Sequence, residues 1–241
     1  MQVKPIKTRV FREGEDLVAF IRSYVKKLPE RSVLVVTSKI VALAERRTAV
    51  RKDLRTKEQL IRKESDFAFP TKWVWLTLKD GLVVASAGID ESNADGKFIL
   101  LPRNSYRSAA QLRKRLMKLY RVKELGVIIP DSRTVPLRAG ALGMAIGYAG
   151  MKGLRDYRGA EDIFGRAFKF ERSAVADSLA TAATLSMGEG AERCPLAVVT
   201  GAPVEFTDRV DPSELVIPLQ DDMYLPFISR IPKTLIRKRH R

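Results

Sequence analysis

The chain has 241 residues, 45% of them hydrophobic, and 44 Lys and Arg against 28 Asp and Glu give it a net charge of +16. That size fits one large domain or two lobes sharing a core, and no apolar run approaches the roughly 20 residues of a membrane span. One cysteine, Cys194, rules out an intrachain disulfide, and one histidine, His240, argues against a Ser-His-Asp triad, a His/Cys zinc centre or a histidine base.

In chain order, the start MQVKPIKTRVFREGEDL is charged throughout and lacks a signal-peptide core, which with the lone cysteine suggests a cytoplasmic protein. Residues 15–28 read as a helix, with Leu17, Phe20, Ile21 and Tyr24 at helical spacing. Ser32–Val36 is a buried strand followed by Thr37-Ser38-Lys39, and a basic helical stretch runs from about Lys52 to Lys63. Residues 73–78 and 82–86 form a strand pair around the turn Asp80-Gly81. A loop over 87–93 leads to a strand at Phe98–Leu101. Ser108 is the expected N-cap of a helix reaching Tyr120, with Leu112, Leu116 and Leu119 inward and a basic outer face. Val127–Ile129 is a strand ending at Pro130-Asp131-Ser132, and a glycine-rich region spans Gly140 to Gly165. Ser173 caps a long Ala/Leu-rich helix that Gly188 terminates, Leu196–Thr200 is a further strand, and an irregular arm follows from Asp208 to a basic tail. Interleaved helices and strands together with hairpins give an α+β class with a mixed sheet. The expected division is a catalytic domain over 1–206 and a C-terminal arm over 207–241.

Chemistry without histidine runs on carboxylates, hydroxyls, lysines, arginines and metal ions, and oxygen-rich sites suit magnesium or manganese. Asp90, Asp131 and Glu189 stand where strands or helices hand over to loops, where hard cations that bridge phosphates can be held. Each one alone reads more readily as a helix cap, a turn residue or a salt-bridge partner. Asp156, Arg158 and Asp162 lie in the glycine-containing D-Y-R-G-A-E-D, either a metal or phosphate loop or a paired surface turn. Thr37-Ser38-Lys39 could meet phosphates, although no Walker A pattern is present. The basic helix 113–121 is either a solvated face or an anion or RNA surface.

Together these segments resemble the coenzyme F420-0:L-glutamate ligase (gamma-glutamyl ligase) family. The likeness is carried in order by V-V-T-S-K-I-V at 35–41, A-S-A-G-I-D-E-S-N at 85–93, L-P-R-N-S-Y-R-S-A at 101–109, V-I-I-P-D-S-R at 127–133, P-L-R-A-G-A-L-G-M-A-I-G-Y-A-G at 136–150, D-Y-R-G-A-E-D-I-F-G-R at 156–166, V-A-D-S-L-A-T-A-A at 175–183 and M-G-E-G-A-E-R-C-P-L at 187–196. The resemblance implies two intertwined lobes, a homodimer, and a reaction in which GTP phosphorylates an acceptor carboxylate that the amine of L-glutamate then attacks. It puts metal ligands, for Mg2+ or Mn2+, at Asp90, Asp131, Ser132 and Glu189, and nucleotide contacts at Ser38, Lys39, Asn93, Met187, Gly188 and Gly190. It gives catalytic roles to Asp131 and Arg138, and substrate contacts to Arg9, Asp156, Arg158 and Asp162.

The chain departs from the family pattern in three places. Ala42-Leu43 stands where a second Ser-Lys is usual, Arg133 follows Ser132 in a segment that normally carries an aromatic Trp, and Lys7-Thr8-Arg9-Val10-Phe11 replaces a G-L-P-x-I start. These changes keep tetrahydrofolate open as an alternative acceptor to the F420 precursor. The net charge keeps open a non-catalytic anion- or nucleic-acid-binding protein, against which the acidic set stands, because carboxylates repel phosphate unless a metal intervenes.

Overall fold

The runs at 32–36, 125–130 and 196–199 lie in neighbouring strands of one sheet, and their unbroken burial shows that both of its faces are covered there. The structure, a computed structural model, describes residues 1–51 and 53–228. The chain divides into two units, Met1–Thr48 with Leu101–Glu214, and Ala49–Leu100 with the chain from Leu215 onward. Of the expected arm, 207–214 belong to the larger unit and 215–228 to the smaller; the basic tail lies outside the described residues.

The larger unit holds a five-stranded sheet in the order β1 (Gln2–Ile6), β12 (Leu196–Thr200), β2 (Ser32–Val36), β8 (Leu125–Arg133), β9 (Leu142–Ala149). Only β2 and β8 run parallel, so the sheet is mixed and the class is α+β. Helix α1 (Leu17–Tyr24) is capped by Asp16, whose carboxylate accepts from Ala19 N at 2.7 Å, and it buries Leu17, Val18, Phe20 and Ile21. Helix α2 (Ser38–Ala44) follows β2 after a single residue. A hairpin of β10 (Leu154–Asp156) and β11 (Arg172–Ala174) leads into α5 (Val175–Met187).

Several boundaries differ from the sequence reading. Helix α4 (Ser105–Tyr120) is capped by Asn104, which accepts from Arg107 N at 2.9 Å, not by Ser108. The Ser108 hydroxyl instead donates to Glu45 at 2.5 Å, and Leu119 is 41% exposed. Asn104→Ala is therefore expected to lower the unfolding free energy by about 1 kcal/mol, with Asn104→Asp retaining most of it. Equal denaturant midpoints for Asn104→Ala and the native chain would remove the cap. Ser173 lies in β11, and α5 starts without a side-chain cap, ending as expected at Gly188 with φ +84°.

Strand β8 does not stop at Ile129 but continues through Pro130 to Arg133. Proline is tolerated there because β2 ends at Val36, and on the other side a register shift between Ile129 and Pro130 marks a bulge against β9. The glycine-rich region holds β9, an assignment that strand propensity disfavours. Two of its glycines admit neighbouring helices. A Cβ on Gly143 would lie 2.1 Å from Thr184 Oγ1 of α5, and one on Gly147 would lie 2.4 Å from the Ser105 carbonyl carbon of α4. Four residues apart on a regular strand they would share a face; the bulge between them accounts for their meeting different helices.

The smaller unit pairs β3 (Thr48–Val50) with β7 (Lys97–Ile99) and forms a meander of β4 (Phe67–Pro70), β5 (Trp75–Lys79) and β6 (Leu82–Ala85). The expected turn is present at Asp80-Gly81, both with positive φ, between the paired Lys79 and Leu82. Helix α3 (Leu54–Glu64), capped by Asp53, buries Ile61 against Ala87, Ile89, Phe98 and Leu100. A final short helix, α6, covers Leu225–Ile228. No helix among the described residues is long and apolar enough to cross a membrane.

Candidate active site

The carboxyl ends of the parallel strands β2 and β8 meet at one edge of the sheet, the position where open sheets bring loops together over a ligand. Ser38, the first residue of α2, is 8% exposed and donates from Oγ to Asp131 Oδ1 at 3.0 Å. Asp131 is half-buried on β8, two residues before the buried Arg133. Lys39 is half-buried beside Ser38.

Successive strand residues point to opposite faces, so Ser132 turns away from Asp131. Its hydroxyl lies 2.8 Å from both carboxylate oxygens of Glu189. Glu189 reaches it because α5 sits close on β9. Ser132 pairs with Gly143, the absent Gly143 side chain lets Thr184 approach, and Thr181 Oγ1 donates to Gly143 O at 2.7 Å. Gly188 then turns the chain out of the helix, and its positive φ leaves room for the Glu192 carboxylate, which would lie 2.4 Å from a Cβ there. Glu192 Oε2 accepts from Gly190 N at 2.8 Å and holds the loop 188–192 in a tight turn. Met187 is 2% exposed, so its side chain serves the core and only its backbone is left for a ligand.

The remaining candidates stand apart from these pairs in the chain. Asp90 belongs to the smaller unit, where it exchanges backbone hydrogen bonds with Ile99 and accepts from Ser92 N at 2.6 Å; Asn93, with φ +51°, follows on the same loop. Glu91 on this loop pairs with Lys57 and with Arg51 at 3.3 Å. Arg138 is exposed on a turn closed by Arg138 N to Val135 O at 3.4 Å. Arg9 bridges Glu15 at 2.9 Å and stacks over Phe20. Asp156 and Arg158 form an exposed pair with Nε to Oδ1 at 2.9 Å, and the guanidinium holds the Asp156 carboxyl down at about 2. Asp162 accepts from Phe164 N and Arg166 N at the tip of the same hairpin.

Two groups that the sequence reading did not single out shape the edge. Asp177, in the first turn of α5, accepts from Ala145 N at 2.9 Å beside the bulge, and burial pushes its carboxyl up against the opposing pull of Arg133. Glu192 organises the glycine loop. The signal for Asp177 was an acid on the otherwise apolar face of an Ala/Leu-rich helix, and that for Glu192 an acid two residues after Gly190.

The donor set is oxygen throughout. Asp131 on one face of β8, and Ser132 with Glu189 on the other, offer carboxylates and a hydroxyl, donors that suit a hard divalent cation and not a soft one. Among the described residues of the larger unit no three His, Cys, Asp or Glu side chains are gathered, so hydroxyl, water or substrate oxygens would complete such a shell.

The model of the F420-0:Gamma-glutamyl ligase family matches residues 5–201. The chain belongs to this family. Its relatives include the coenzyme F420:L-glutamate ligase of Methanocaldococcus jannaschii, 33% identical over 88% of this chain and 85% of that one. The protein of the same name from Methanopyrus kandleri is 36% identical over 86% of this chain and 89% of its own. That from Archaeoglobus fulgidus is 33% identical over 80% and 84%. The matched span takes in the whole five-stranded sheet apart from the first residues of β1, and with it both side-chain pairs at the sheet edge.

Proposed function

We propose that the chain is a GTP- and metal-dependent ligase that joins L-glutamate to a carboxylate of the F420 precursor. The observation that carries this reading is the pairing of Ser38 with Asp131 and of Ser132 with Glu189 at the carboxyl edge of β2 and β8, in a chain of this family. In the reaction the γ-phosphoryl group passes to the acceptor carboxylate. The neutral amine of glutamate then attacks the acyl carbon, losing a proton as inorganic phosphate leaves.

Phosphoryl transfer of this kind asks for positioning and charge neutralisation more than for a proton-shuttling histidine. Ser38 occupies one oxygen of Asp131 with a donor and fixes the direction of the other lone pairs. Ser132 does the same for Glu189. Asp131, Ser132 and Glu189 are the residues of the larger unit we assign to Mg2+ or Mn2+, which when bound neutralises charge on the phosphate oxygens, and Asp90 is kept as the metal-ligand candidate of the smaller unit. Lys39 and the backbone of Gly188 and Gly190 are assigned to the nucleotide, with Asn93. Arg138 is assigned to the developing charge on the transferred group, and Arg9, Asp156, Arg158 and Asp162 are retained as weaker candidates for substrate contact. We further propose a homodimer and a cytoplasmic location.

The test is mass spectrometry of purified protein with glutamate, GTP or ATP, magnesium and manganese, and either the F420 precursor or tetrahydrofolate. A mass increment of one glutamyl residue on the F420 precursor with GTP is expected. An increment on tetrahydrofolate alone replaces the acceptor, one with ATP alone replaces the nucleotide, and no increment from folded protein overturns the reading.

A further inference from the structure

Residues 103–123 contain eight Lys and Arg and no Asp or Glu. Helix α4 occupies most of that segment. Leu112 and Leu116 face the core, Arg113 reaches back to Leu125 O and Asp208, and Arg115 bridges Asp16 at 2.7 Å. The outward face carries Arg107, Lys114, Lys118 and Arg121, all exposed and none in an ion pair among the described residues. They follow the helical repeat, and at 1.5 Å per residue they span roughly 21 Å in one line. Arg22 of the adjoining α1 and Lys26, two residues past its end, extend the row, since Arg22 stacks on Tyr120 and the Tyr120 hydroxyl binds Val25 O.

Such a face costs stability. Lys114–Lys118 and Lys118–Arg121 are like-charge neighbours one turn apart, and no acid within the helix relieves them. A solvated helix face ordinarily interleaves both signs. A row of unpaired cations on a rigid helix gains energy only when it meets a matching row of anions.

We propose that the α4 face docks the phosphate backbone of duplex nucleic acid, without reading its sequence. Leu119 is the one large apolar side chain exposed on α4, less than the apolar face a membrane-lying helix inserts, and α4 has no exposed aromatic platform for stacking single-stranded bases. It is convex, which suits neither an extended acidic peptide seeking a pocket nor a strand seeking an edge. Four phosphate contacts predict a salt slope, d log K/d log [salt], of about −3.6 on B-form DNA. This inference is independent of the ligase reading, because none of its residues is assigned to that site.

The experiment measures binding of the full chain to a labelled random-sequence duplex between about 50 and 200 mM salt. The variant Lys114→Gln/Lys118→Gln/Arg121→Gln is run beside it. The expected result is a measurable Kd at low salt that the variant weakens at least tenfold, with the slope shallower by about 3. Retained helicity and an unchanged melting curve check the variant's fold. No binding at low salt overturns the proposal. So does an unchanged slope in the variant, which assigns the affinity to other residues such as 236–241. Preferential binding of an oligoglutamate over the duplex overturns it as well.

Discussion

Asp131→Asn is expected to lower glutamate transfer at least about 100-fold, the size of effect seen when one preorganised electrostatic group is removed from a polar site. Its melting temperature should stay close to that of the native chain. Asparagine keeps the volume and still accepts from Ser38 Oγ, so the 3.0 Å hydrogen bond and the β8–β9 pairing survive. What is lost is the negative charge, and with it the attraction for a cation and its phosphate. The measurement is the glutamyl mass increment per unit time alongside a thermal melt. Undiminished turnover in a folded Asp131→Asn protein would take Asp131 out of the chemistry. Ser38→Ala separates orientation from charge: the carboxylate remains but loses its donor, and a smaller loss than that of Asp131→Asn is expected.

Gly147→Ala is expected to destabilise the larger unit by about 3 kcal/mol, the upper end for overpacking, because the obstacle is backbone. The added methyl would lie 2.4 Å from the Ser105 carbonyl carbon and 2.6 Å from its oxygen. Neither side yields easily. Ser105 opens a helix fixed by the Asn104 cap, and Gly147 pairs with Ile129 inside the sheet. At roughly 2–4 °C per kcal/mol for a chain of this size, the melting temperature should fall by about 6–12 °C. A melt unchanged within error would show that α4 can withdraw from β9 without cost. The partner case, Gly143→Ala, meets mainly the Thr184 side chain, so Thr184→Ala should return part of its loss.

Much of the architecture was legible in the sequence where burial and chain punctuation agree. Ser32–Val36 and Leu196–Thr200 are strands with the expected bounds, since unbroken β-branched and aliphatic runs suit a sheet covered on both faces. The Asp80-Gly81 turn and the Gly188 stop were legible because positive φ selects a small set of residues. The reading failed where propensity and tertiary need oppose each other. Strand β9 was hidden in a glycine-rich stretch, because its glycines answer to two helices that approach closely and not to the strand itself. Strand β8 continues past Pro130 because its neighbour β2 has already ended and a bulge absorbs the missing donor. The cap of α4 was misassigned between Asn104 and Ser108, two good capping residues one turn apart, and a contact from Glu45, just past the end of α2, claims the second.

Of the candidate site, the residue types came from the sequence and the pairings from the fold. One histidine and one cysteine favour oxygen ligands, and a charge of +16 favours anionic partners, before any folding is considered, because composition fixes which donors exist. That Ser38 meets Asp131, 93 residues away, and Ser132 meets Glu189, 57 residues away, was decided by the tertiary structure alone. The first pairing needs α2 to begin where β2 ends while the parallel β8 runs on to Asp131, and the second needs a helix to lie on a glycine, and neither distance is written in local spacing.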